Sequence, residues 1–151
     1  MNENQGDSQP RANFWSLELL QLPNGQFPYQ SFRSSLDPFE IELLDLCVER
    51  ILAKAGLDIC QTNWGKALGD GLYEFRINRS LESITNNLKI PLTPNLRGKQ
   101  TKLMRVFFTV ERNRIILLIS GYDKGRNPNK KKQQKMISAA RAMLRQHRKN
   151  S

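Results

Sequence analysis

The spacing of apolar residues along this chain changes from segment to segment, and each change marks an element. Phe14-Trp15-Ser16-Leu17-Glu18-Leu19-Leu20 mixes aromatic and aliphatic residues as a strand does. Pro23-Asn24-Gly25 marks a turn, and Pro28 to Leu36 reads as a short helix opening on proline. From Asp37 to Ala55 the period becomes helical: Leu43, Leu44, Cys47, Val48, Ile51, Leu52 and Ala55 share one face. Asp37 can cap that helix, Pro38 suits its first position, Glu40 stands at capping-box spacing and Gly56 can end it. Residues 58–70 have no decisive period, although Trp64 and Leu68 are expected to bury. Strict alternation follows in Gly71 to Ile77, with Tyr73, Phe75 and Ile77 on one face and Glu74 and Arg76 on the other. Residues 80–102 show no period and contain Pro91, Pro94 and Gly98, so they read as an inserted loop. Leu103–Val110 and Arg114–Ser120 read as two strands of a hairpin turning at Glu111-Arg112-Asn113. Ile115 to Ile119 is uniformly apolar, as a strand buried on both faces requires. A last helix runs from about Asn129 to His147, with Met136, Ile137, Ala140, Met143 and Leu144 as its apolar stripe. The order predicts an α+β fold with helices on one side of a small, largely antiparallel sheet.

Charge sharpens this picture. Residues 97–151 carry 16 Lys and Arg against two acids, Glu111 and Asp123, while residues 1–96 carry 8 against 12. The halves are thus +14 and −4 within a chain of net charge +10. A basic half with patterned strands and a helix displays its charge at fixed positions, and an acidic polymer such as nucleic acid is the expected partner. At 151 residues and 38% hydrophobic content the chain suits a single domain over 14–151, with residues 1–13 as a disordered lead-in. No apolar run approaches the roughly 18 residues of a membrane span. Met1 to Asn13 has no signal-peptide pattern, so a cytoplasmic protein is expected. Cys47 and Cys60 form no CxxC pair and, with the single His147, no plausible zinc set. No metal or cofactor is therefore expected. One histidine also excludes a histidine-pair ribonuclease site.

Three segments together resemble the RelE/ParE superfamily of toxin–antitoxin toxins, most closely its HigB-type, phage-derived branch. The first runs from the N-terminal strand through Asn24-Gly25-Gln26-Phe27-Pro28 and Phe32–Leu36 to the long helix ending at Gly56. The second is Trp64 followed by Leu68-Gly69-Asp70-Gly71-Leu72-Tyr73-Glu74-Phe75-Arg76-Ile77. The third is Arg105-Val106-Phe107-Phe108, Ile115-Ile116-Leu117-Leu118, Gly121-Tyr122-Asp123-Lys124 and a final helix with Ala139-Ala140-Arg141. Two departures stand out. The interval between Arg76 and Arg105 is longer than the family's, and Asp123-Lys124-Gly125-Arg126-Asn127-Pro128 lacks the second lysine of the family's Lys-Lys pair.

The resemblance implies a RelE-like microbial-ribonuclease fold and a metal-independent endoribonuclease that cuts mRNA on the ribosome. It implies attack of a ribose 2′-hydroxyl on the adjacent phosphate, and inhibition by a co-encoded antitoxin, expected to be a helix-turn-helix protein. Such chemistry needs a base, cations for the transition-state charge and an acid for the leaving oxygen. The candidate catalytic residues are Arg76, Arg105, Lys124, Arg126, Tyr122 and Asp123, with Glu74 as a second candidate base or an ion-pair partner for Arg76. Lys130, Lys131 and Lys132 are the candidate RNA-backbone contacts, although such a run also serves as a solvated face. The alternatives are a ParE-like inhibitor of DNA gyrase, or an inactive relative that binds RNA or a protein partner.

Overall fold

The computed structural model describes residues 13–89 and 100–150; the expected lead-in and the middle of the 80–102 interval lie outside them. The chain forms an α+β fold around a five-stranded sheet in the order β1-β5-β4-β3-β2. The strands are β1 (Ser16–Leu19), β2 (Gly65–Gly69), β3 (Leu72–Ser80), β4 (Thr101–Glu111) and β5 (Ile115–Asp123). β1 pairs parallel with β5, and the other neighbours are antiparallel.

Helices α1 (Pro28–Ser34) and α2 (Pro38–Cys47) open where proline and the capping residues predict. At α2 the Asp37 carboxylate accepts from Glu40 N at 2.9 Å, and Glu40 Oε1 accepts from Asp37 N at 3.0 Å, so both halves of the capping box form. The helical path continues through a π turn (Val48–Leu52) and α3 (Ala53–Ala55). It stops at Gly56, whose φ of 60° favours glycine; a side chain there would also collide with the Trp15 indole. The undecided stretch after it is a 3-10 turn (Gly56–Gln61) and then β2.

The sheet is covered on both faces, which corrects the one-sided expectation. Phe75, Ile77, Met104, Val106, Phe108, Ile116 and Leu118 pack on one face with the α1 and α2 side chains. Leu72, Phe107, Leu117, Ile119 and Tyr122 pack on the other with Ala140 and Leu144 of α5 (Lys130–Lys149). The cause lies in β5, whose apolar residues alternate onto both faces, so each face needs a cover. Arg141 and Arg148 fix α5 by donating to the carbonyls of Leu68 and Gly69 at the end of β2 and of Asp70 in the turn after it, at 2.8–3.1 Å.

The 80–102 interval is not simply a loop. Ser80 and Thr101–Lys102 belong to β3 and β4, and Leu81–Leu88 forms α4. The Ser80 hydroxyl caps α4 by accepting from Ser83 N at 3.0 Å, and Lys89 ends it in the left-handed region. Leu81 and Ile84 are fully enclosed in the core beneath it. β5 likewise runs further than its apolar run suggests, through Gly121, Tyr122 and Asp123. At Gly121 α1 lies so close that a Cβ would stand 2.6 Å from the Phe32 ring. The hairpin turns at residues 112–114, with Asn113 and Arg114 at positive φ, and Glu111 stays in β4.

Candidate functional site

One row of the sheet brings the candidate cations together. Arg76 of β3 pairs with Arg105 of β4, and Arg105 pairs with Tyr122 of β5, so the three side chains share one face. A bulge helps to set this register: Ser120 opposes Phe107 and Leu118 opposes Phe108, leaving Ile119 as the extra residue. Beyond the bulge, Tyr122 falls opposite Arg105. It is the α5 face of the sheet, at the end where its core gives way to charge.

Glu74 anchors the row two residues before Arg76. Its carboxylate is 4% exposed, and Oε1 accepts from Arg76 Nε at 2.8 Å. Arg105 Nε lies 4.0 Å from the same oxygen. Arg105 is itself only 8% exposed, and its Nη1 donates to the Met104 carbonyl at 3.1 Å. Burial lowers the Arg105 pKa, opposed by Glu74 and aided by Arg76. The guanidinium remains a cation at any ordinary pH. Lys124 follows directly after β5, and the positive charge of Arg105, then burial and Arg76, push its pKa down. Burial and then Glu74 raise the Tyr122 phenol, against the pull of both arginines. Its ring stacks on Phe107 with centroids 5.8 Å apart. Arg76 and Arg105 thus share one carboxylate, and Lys124 lies within reach of their charge. Their mutual repulsion falls when an anion enters, and a phosphate matches both the arginine fork and the lysine point charge.

Asp123 and Arg126 are not part of this cluster. Asp123 pairs with Met104, and strand alternation sends it to the α1 and α2 face. Its carboxylate accepts from Arg126 N at 3.0 Å and lies 3.3 Å from Arg126 Nη1. Arg126 Nη2 reaches Glu40 Oε2 at 3.2 Å, and Lys102 Nζ lies 3.4 Å from the same oxygen. Glu40, 1% exposed, therefore joins the start of α2, the start of β4 and the segment after β5. Sequence reading identified Glu40 only as a capping residue, because its two long-range cations carry no local spacing. Asp123 shapes the turn after β5, and Arg126 is held on the opposite side of the sheet from Arg105.

Lys130, Lys131 and Lys132 are exposed in the first turn of α5. Asn129 caps that turn, accepting from Lys131 N at 2.7 Å. With Lys135, Lys131 and Lys132 line a cleft that also includes Arg126 and Asn127. Lys135 went unnoticed in the sequence, although its spacing to Lys131 and Lys132 puts all three on adjoining helix positions. Trp64 packs inward, stacked on Phe75 at 5.8 Å with Arg79 over its ring. His147 is half-exposed, with Nε2 3.1 Å from Glu111 Oε2.

Among the described residues, no group of three His, Cys, Asp or Glu side chains is arranged to hold a metal ion, and no helix is long and apolar enough to cross a membrane. No protein-family profile, curated protein or solved structure matches the chain.

Proposed function

We propose that this chain is a metal-independent endoribonuclease toxin of the RelE/HigB kind, cutting mRNA on the ribosome and restrained by a co-encoded antitoxin. The observation that carries the reading is the Arg76–Arg105–Tyr122 row with Lys124 beside it and Glu74 beneath it. In this reading the 2′-hydroxyl of a ribose gives its proton to solvent water as its oxygen attacks the neighbouring phosphorus, and the bond from phosphorus to the 5′-oxygen breaks, giving a 2′,3′-cyclic phosphate. Arg76 and Arg105 carry the charge that builds on the non-bridging oxygens. Lys124, made more acidic by Arg105, returns a proton to the departing 5′-oxygen. The raised Tyr122 stays a phenol at neutral pH, so it donates a hydrogen bond and does not serve as the base. Glu74 fixes both arginines and keeps Arg105 from being an isolated buried charge.

Charge at the start of α5 supports the same partner. Lysines in the first turn of a helix oppose its macrodipole and disfavour the fold by about 0.3–1 kcal/mol each. A polyanion lying across Lys130, Lys131 and Lys132 converts that cost into binding.

The test is inducible expression in a bacterial host with mapping of RNA 5′ ends against the reading frame, for wild type and Arg105→Ala. The expected result is growth arrest with new ends on translated messages only, both abolished in the variant. Arrest with intact mRNA and broken chromosomal DNA would transfer the assignment to a gyrase inhibitor. No arrest would leave a binding protein.

A further inference from the structure

A second feature adjoins the cation cluster. β1 pairs with β5 only as far as Leu118, and Leu20 N donates to the Leu118 carbonyl at 2.9 Å. Among the described residues, no strand pairs with β5 beyond that point on the β1 side. There α1 and α5 stand apart over the strand and leave an open cleft of about 660 Å³. Phe32 of α1 and Met136 and Met143 of α5 form apolar walls, and Tyr122, Asp123 and Arg126 also line it. The volume falls within the usual range for a small-molecule site of roughly 300–1,000 Å³.

We infer that this cleft receives one base of a single-stranded RNA while the cations at its two ends hold the adjoining phosphates. The inference rests on the nuclease reading above and names how that site takes its substrate. Charge complementarity selects the occupant. Tyr122 belongs both to the cleft and to the row with Arg105 and Arg76, so one end opens toward the phosphate-seeking cluster. Arg126 and Asn127 belong both to the cleft and to the basic cleft of Lys131, Lys132 and Lys135, whose lining contains no acid. The sequence of surfaces is cationic, apolar, cationic, with Asp123 at the second end paired to Arg126 and Lys131, Lys132 and Lys135 supplying the excess positive charge beyond it. A nucleotide chain with one base turned inward presents the matching order: phosphate, flat apolar ring with polar edges, phosphate. Thioether side chains suit such a ring, since they adapt to its face without a fixed shape of their own. An acidic peptide would meet the same cations, but it has no planar group to fill the slot between them.

Methionine-methyl NMR on the wild-type protein tests this directly. Met136 and Met143 report on the cleft, and Met104, fully buried in the core under α1 and α2 and not part of the cleft lining, is the internal control. The probes are a short single-stranded 2′-O-methyl oligoribonucleotide, which resists cleavage by 2′-oxygen attack, and the same strand with one abasic position. The expected result is that the complete strand shifts the Met136 and Met143 signals and leaves Met104 in place. The abasic strand still binds through its phosphates but loses the shift. Equal shifts from both strands, or binding with no methyl shift, would overturn the base site while leaving the nuclease reading intact. Absence of any binding at millimolar RNA would overturn the base site too; the mapping of 5′ ends decides the nuclease reading separately.

Discussion

Replacing Glu74 by glutamine should cost the fold about 3 kcal/mol, near the lower end of the range for breaking a buried ion pair. Glu74 Oε1 lies 2.8 Å from Arg76 Nε and 4.0 Å from Arg105 Nε. At 4 Å and an effective dielectric near 20, a unit pair interacts by about 4 kcal/mol. The two arginines do not lose equally. The Arg76 side chain is 36% exposed and can turn into water, whereas that of Arg105 is 10% exposed and cannot. The uncompensated charge is therefore that of Arg105, with Lys124 adding repulsion. For a domain of this size each kcal/mol moves the melting midpoint by roughly 2–4 °C, so Glu74→Gln should melt roughly 6–12 °C lower. Circular dichroism at pH 7 measures this. Sulfate or phosphate, at matched ionic strength against chloride, should raise the midpoint of the variant more than that of the wild type, because the uncompensated cations attract an anion more strongly once the Glu74 charge is gone. A midpoint within about 2 °C of wild type, with no selective response to sulfate, would refute the claim that Glu74 holds the cluster together.

Three further outcomes follow from the same geometry. Ile84→Ala should destabilise the protein by about 2–4 kcal/mol in urea unfolding, because α4 is part of the core; a loss below about 1 kcal/mol would return the segment to a dispensable insertion. Replacing Lys130, Lys131 and Lys132 together by alanine should weaken single-stranded RNA binding and flatten its log–log salt dependence by about 0.7 per lost phosphate contact, without lowering the melting midpoint. Burial raises the Cys47 thiol from 9.0 to about 12. The folded state keeps that proton longer than the unfolded chain does, so the associated stability is complete below pH 9 and is lost as pH rises toward about 12. Thermal scans from pH 8 to 11 should fall less steeply for Cys47→Ala than for wild type; parallel curves would contradict the burial.

The legible parts of the fold were those with local causes. The α2 start was visible because Asp37, Pro38 and Glu40 act within one turn, and the burial of β5 was visible in an unbroken apolar run. α4 escaped because only Leu81, Ile84 and Leu88 mark its face among serine, threonine and asparagine. The second cover on the sheet was implied by β5 itself, whose two apolar faces cannot share one layer of helices. In the candidate site, Arg76 and Arg105 could be brought together from strand alternation once β3 and β4 pair. Arg126 could not, because its position depends on the single-residue bulge at Ile119, the end of β5 and the distant carboxylate of Glu40. The cleft above Tyr122 left no trace in the sequence, since α1, which forms one wall, lies far along the chain from β5 and α5, which complete it.

The most direct test of the central proposal is the chemistry of the cut ends. Purified protein would be added to ribosomes stalled on a defined mRNA in the presence of a metal chelator that spares the ribosome's magnesium, with Arg105→Ala as control. The expected products are fragments ending in 2′,3′-cyclic phosphate and 5′-hydroxyl, formed by wild type and reduced by about 100-fold or more in the variant. Fragments ending in 3′-hydroxyl and 5′-phosphate, or cleavage that survives loss of Arg105, would contradict the proposal.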